Sequence, residues 1–165
     1  MLIDVARLLV FPGLMAFAAA SDLLTMSISN RVSLALSAAF LVLALTCGFP
    51  LPTILWHLAA GLLVLAAGFG LFARGLVGGG DAKLAAAAAL WLGLDRLFDY
   101  ALVGALLGGV LTLGLLVFRF MPLPGWLARH ESAVRLHQCD AGVPYGIALA
   151  AAALLIYPST IWMPA

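Results

Sequence analysis

The chain has 165 residues, 65% hydrophobic and 9% charged, with a formal net charge of +1 and a mean hydropathy of +1.19. A soluble domain needs more polar surface than that, so the composition excludes one and makes the lipid bilayer the natural solvent. The near-neutral balance, with no basic patch, excludes nucleic acid as a partner, and the length suits a single membrane domain, 1–165.

Uncharged runs mark the crossings, each of which needs ~20 mostly apolar residues. The first is expected from about Ile3 to Ser21. Its end, "MAFAAASD", has the small residues of a signal-cleavage site. Asp4 offsets Arg7, however, so the basic start of a cleaved signal is missing and the segment is expected to stay as a first helix. Val32 to Ala73 holds no Asp, Glu, Lys or Arg and is too long for one crossing. "CGFPLP", Cys47 to Pro52, supplies the turn that divides it into a second and a third helix. A fourth helix begins near Asp81 and runs to the "GLDRLFD" turn, Gly93 to Asp99. A fifth follows from Tyr100 to Phe118, then a polar segment from Arg119 to Asp140, then the last helix from about Val143 to Ile161. The expected fold is an all-α polytopic membrane protein, a bundle of six transmembrane helices.

Arg31, Arg74, Lys83, Arg119, Arg129 and Arg135 fall in loops on one side of that bundle, and only Arg7 and Arg96 on the other. The excess puts the first set in the cytoplasm and both termini outside. Cys47 and Cys139 then lie on opposite sides, which argues against a disulfide between them. No Cys-x-x-Cys pair exists to form a zinc ribbon.

Helix four is short. From Asp81 to Asp95 is fifteen residues, about 22 Å at 1.5 Å per residue, against a hydrocarbon core of ~30 Å. Either the residues around Tyr100 lengthen it, or its start lies below the membrane surface. The second case buries Asp81 beside Gly78, Gly79 and Gly80, and irregular backbone at that depth is tolerated only against protein or a water-filled cavity. Asp81 also has a plain structural explanation, as the N-cap of the helix with the glycines making its loop. Phosphate binding is excluded, since a dinucleotide fingerprint from Gly78 would need glycine where Lys83 stands, with a strand before it, and the Walker pattern fails too.

Asp22 ends the first helix, in "ASDLLTMSISNRVS", where a carboxylate opposes the helix macrodipole and does not cap that helix. It is either an interfacial group solvated at the headgroups or the cap of a short turn from Leu23. Asn30 reads as the cap of helix two. Taken together, two carboxylates on one side of the bundle are the minimum equipment of an aspartic protease. Held close, such a pair shares a proton. One member draws a proton from the attacking water, and the other hydrogen-bonds the scissile carbonyl oxygen. Glycines beside them let an extended peptide approach closely.

"GGGDAK", Gly78 to Lys83, resembles the Gly-x-Gly-Asp signature of membrane-embedded aspartyl proteases, in the form followed by x-Lys in bacterial prepilin peptidases. Asp22 with "ISN", Ile28 to Asn30, is similar to the family's first-aspartate region, which ends in Ile-Pro-Asn. "VPYG", Val143 to Gly146, resembles the start of the family's last helix. These stretches come in the family's order and span most of the chain. The resemblance implies an endopeptidase that removes prepilin leaders at the cytoplasmic face of the bacterial inner membrane, just before the substrate's hydrophobic helix. It makes Asp22 and Asp81 catalytic. Gly78, Gly79, Gly80 and Lys83 are then expected to shape the site or bind substrate, as are Asn30, Pro144, Tyr145 and Gly146.

Two departures qualify the likeness. Ser29 stands where the family usually has proline, which affects the turn into helix two and not the chemistry. The larger members carry a cytoplasmic insert with two Cys-x-x-Cys pairs and N-methylate the new amino terminus, and that insert is missing here. The resemblance is therefore to the short, peptidase-only branch serving tight-adherence (Flp-type) pili.

Other polar residues have bland explanations. Lys83, two positions from Asp81, is out of helical phase with it and either assists a carboxylate electrostatically or snorkels to headgroups. Asp95 and Asp99 with Arg96 read as solvated boundary charges. His130, His137 and Cys139 lack the spacing and the fourth ligand of a zinc site, so neither metal nor cofactor is expected. "PGWLARHESAVRLHQ", Pro124 to Gln138, reads as an amphipathic segment on the inner lipid surface. His57 reads as packed and hydrogen-bonded. The competing function is a small transporter subunit in which Asp22 and Asp81 bind a cation or relay protons, although the two segments show no repeat.

Overall fold

A computed structural model describes residues 2–138 and 141–163, and its regular structure is helical throughout. The helices are α1 (Leu2–Thr25), α2 (Asn30–Thr46), α3 (Leu51–Ala73), α4 (Gly79–Leu92), α5 (Leu97–Phe120), α6 (Glu131–His137) and α7 (Tyr145–Ile156). By length and composition α1, α3 and α5 can each cross a membrane, the last together with the 3₁₀ turn Leu94–Arg96 before it. The other apolar helices are shorter, Asn30–Thr46 and Tyr145–Ser159.

Local chemistry sets the boundaries. Ser29, not Asn30, caps α2, its hydroxyl accepting from the Arg31 N–H at 3.3 Å. A small hydroxyl in extended backbone satisfies an orphan amide of the first turn, and Asn30 is already inside the helix. Ser29 thus supplies a cap. Pro50 and Pro52 fix the start of α3, while Gly75 and Gly93, with φ of +71° and +78°, turn the chain out of α3 and α4. In α1 the helix continues through Asp22 to Thr25, so Asp22 belongs to its last turn.

The short, Ala-rich α4 is the centre of the bundle. It packs along α3, then α2 and α7, while α1 lies against α7 and α2, and α5 against α7. Nearly every residue from Leu84 to Leu92 is buried, which is why α4 is apolar all round. Alanine and glycine let neighbouring backbones approach closely where lipid supplies no hydrophobic drive between helices. The helices α1, α3 and α5 run one way, and α2, α4 and α7 the other. At one end, rings of Phe11, Phe40, Trp91, Tyr157 and Trp162 interlock. Their polar edges are satisfied, Trp91 Nε1 donating to the Leu36 carbonyl at 2.9 Å and Trp162 Nε1 to that of Trp91 at 2.8 Å. Asp22 and Asp81 lie at the other end.

Candidate active site

Asp22 comes from the last turn of α1 and is only 5% exposed. Asp81 comes from the first turn of α4 and is partly exposed. Both face one cavity of about 380 Å³, and they lie close enough for their charges to interact. Asp81 is not the N-cap of its helix. Gly78 holds that position, no side chain caps the first turn, and Gly79 and Gly80 are helical. A carboxylate in a first turn is favoured by the helix dipole, and here it faces the cavity.

Space at these positions is tight. A Cβ on Gly78 would come within 2.8 Å of Asp81 Oδ2, and one on Gly80 within 3.3 Å of Ile28 Cβ. Gly146, at the start of α7, repeats the arrangement on the other carboxylate. Its N–H donates to Asp22 Oδ2 at 2.8 Å, and a Cβ there would sit 2.7 Å from that same oxygen. Each aspartate therefore has a glycine pressed against it. Pro144, buried beside Gly146, caps α7 and lines the cavity.

The remaining walls are Met26, Ser27 and Ile28 after α1, with Gly142 and Val143 before α7. Met26, Ser27 and Gly142 carry no motif by which the sequence would single them out. Met26 adopts φ of +54°, a costly conformation for a residue with a side chain, and reverses the chain at the end of α1. Two hydroxyls tie the turn back onto the helix, Ser21 Oγ and Thr25 Oγ1 each donating to the Ser27 carbonyl at 3.1 Å. Arg135 of α6 reaches the Leu24 carbonyl at 3.0 Å. Arg119 at the end of α5 holds the opposite wall, donating to the carbonyls of Leu136, Ala141 and Gly142 at 2.9, 2.7 and 2.8 Å. Cations at helix C-termini match the dipole as well as the orphan carbonyls.

Not every residue singled out in the sequence meets in this cavity. Lys83 donates to Asn30 Oδ1 at 2.9 Å, and both line a separate groove between α2 and α3. Two positions along a helix is about 200° of rotation, which turns Lys83 away from Asp81. Tyr145 lies outside the carboxylate cavity and borders the apolar trough that adjoins it. Asp99 pairs with Arg96 at 3.6 Å at the far end of the bundle. His57 is buried, its Nδ1 2.8 Å from the Leu90 carbonyl and its ring stacked on Phe40, which makes it a packing residue. Trp126 is 67% exposed ahead of α6, and His137 packs edge-on against Phe118. Cys139 lies outside the described residues. Among the described residues no group of three or more His, Cys, Asp or Glu is arranged to hold a metal.

A helical bundle with helices long and apolar enough to span a bilayer, carrying two interacting carboxylates in a glycine-walled cavity, has the parts to activate water against an amide. The sequence profile of the type IV leader peptidase family matches residues 9–113. That stretch contains Asp22, Asp81 and all of α2 to α4, and the chain belongs to the type IV leader peptidase family. Among curated proteins and among solved structures, none matches the chain significantly.

Proposed function

We infer that the chain is a prepilin leader peptidase, an intramembrane aspartyl endopeptidase acting on a type IV prepilin of the Flp type at the cytoplasmic face of the bacterial inner membrane. The observation that carries this reading is that Asp22 and Asp81 face one glycine-walled cavity in a chain of the leader peptidase family. In it α1 to α5 and α7 act as six crossings of one domain, 1–165, with both termini outside. The helix ends and loops toward the carboxylates hold Arg31, Arg74, Lys83, Arg119, Arg129 and Arg135, the excess expected of a cytoplasmic face. No Cys-x-x-Cys pair occurs in the sequence, so leader removal is assigned without methyl transfer.

The chemistry follows from the pair. Two carboxylates in one cavity carry a single shared proton. The ionised member takes a proton from water as the water oxygen bonds to the scissile carbonyl carbon. The protonated member donates its hydrogen bond to the carbonyl oxygen, where negative charge develops. The tetrahedral intermediate collapses with proton delivery to the leaving nitrogen, giving a carboxylic acid on the leader and a free amine on the mature chain. Asp22 is oriented for this by the Gly146 amide. Gly78, Gly79 and Gly80 leave the substrate backbone room beside Asp81.

Co-expression with a pilin precursor bearing a basic leader, a glycine and an apolar helix tests the assignment. The wild-type chain shortens the precursor, Asp81→Asn inserts but leaves it whole, and Asp95→Asn cuts it. A precursor left whole by the wild-type chain, or cut by Asp81→Asn, contradicts the assignment.

A further inference from the structure

The carboxylate cavity does not end at Asp81. Asp81, Gly78, Gly142 and Val143 also line a larger cavity of about 940 Å³ that opens between α3 and α5. That cavity continues into another of about 390 Å³, the two sharing Val64, Ala67, Ala85, Tyr145 and Leu149. The result is one trough along the bundle. It exists because α3 packs on α4 and α5 packs on α7, while α3 and α5 scarcely touch.

Its lining has the character of a helix-docking surface. The floor is small, Gly68, Ala82 and Ala85 at one end and Ala101, Gly104 and Ala105 at the other, so a further helix can bring its backbone close. Ala67, Ala101 and Ala105 are exposed in the trough. Along α5 the lining of the trough runs from Leu97 to Thr112, about 22 Å at 1.5 Å per residue, most of a bilayer's apolar thickness. Tyr145 stands where the two cavities join, its ring set in the notch left by Gly108 and its hydroxyl donating to the Gly104 carbonyl at 3.3 Å. Tyr100 lines the far cavity at 3% exposure, and among the described residues its hydroxyl has no hydrogen-bond partner. A buried phenol without a partner is costly in an apolar setting, and an occupant carrying a polar atom would satisfy it.

We propose that the trough between α3 and α5 is the docking site for the apolar helix of the substrate, so that the chain is cut at the point where that helix ends at Asp81. The proposal rests on the leader peptidase reading and adds the route by which the substrate reaches the carboxylates, laterally from the lipid. The competing surface is the groove between α2 and α3 that holds Lys83. It shares no residue with the carboxylate cavity, so a helix seated there would not end at the aspartates.

A photo-cross-linking amino acid placed singly at Ala67, Ala105, Leu34 and Leu62 of the full chain, in membranes holding the same pilin precursor, separates the possibilities. The trough positions Ala67 and Ala105 are expected to cross-link to the precursor's apolar helix, and the groove positions Leu34 and Leu62 are not. In parallel, Ala105→Trp is expected to raise KM about tenfold with kcat little changed, the signature of lost substrate binding, while Leu62→Trp changes neither. Cross-links from Leu34 or Leu62, or cleavage with none from the trough, would overturn the docking site and leave the peptidase assignment standing. An uncut precursor with the wild-type chain would overturn both.

Discussion

At one end of the bundle bulky rings fill the space between helices, with Trp91 and Trp162 centroids 4.7 Å apart and Phe11 and Tyr157 centroids 4.5 Å apart. At the other end the same helices are separated by glycines and a cavity of about 380 Å³ between two carboxylates. One end holds the helices in register through packing and satisfied indole N–H groups, and the other can therefore leave polar groups and open space where packing would otherwise be expected. A buried carboxylate is costly in a membrane, and the rigid end supplies the framework that keeps this pair in place. Stability and chemistry should accordingly fail separately when the two ends are altered.

The largest effect on stability is expected at the aromatic end. Trp91→Ala removes a fully buried ring together with its indole bond to the Leu36 carbonyl, a class of change that costs about 3–5 kcal/mol in well-packed cores. Thermal unfolding in detergent should show a large fall in Tm, with cleavage lost only in proportion to the folded fraction. Short of removing a carboxylate, the largest effect on chemistry without unfolding is expected from Gly146→Ala and Gly78→Ala. Each new Cβ meets the flexible end of an aspartate, at 2.7 Å and 2.8 Å. The side chain yields cheaply but the carboxylate moves, and misplacing a catalytic group by about 1 Å can cost ~100-fold in rate. Cleavage kinetics beside Tm on the same preparations would show this split, and equal loss of both would erase the distinction between the ends.

Smaller changes sharpen the boundary of the site. Ser29→Ala removes the cap of α2 and should cost about 1 kcal/mol, read as a modest fall in Tm with cleavage of the folded protein retained. Lys83→Met breaks the exposed bond to Asn30, a type of surface contact worth under ~1 kcal/mol, and should leave the cleavage rate within about threefold of wild type. A larger loss of rate would bring Lys83 back into the chemistry despite its facing the other groove.

What the sequence made legible was decided by local signals. The helices could be placed because charged residues and prolines bracket the apolar runs, and the end shared by Asp22 and Asp81 followed from the alternating direction of successive helices. Lys83 faces away from Asp81, as its helical phase requires. The cap of α2 was misplaced by one residue because serine and asparagine are nearly equal caps and stand adjacent. For Gly78 and Gly146 the sequence marks the positions but not the reason, which lies in contacts to Asp81 and to Asp22 that only the packed bundle creates. The same holds for the walls at Met26, Ser27 and Gly142, and for the tie from Arg119 to the loop before α7. Those contacts join segments far apart in the chain, and no periodicity encodes them.

The central claim is that Asp22 and Asp81 act as one unit. Cleavage of the pilin precursor by Asp22→Asn, Asp81→Asn and the double variant, at matched levels of inserted protein, measures this most directly. Members of a catalytic unit are non-additive, so each single variant should lose activity as completely as the double. Either single variant cutting at a rate near that of the wild-type chain would contradict the account.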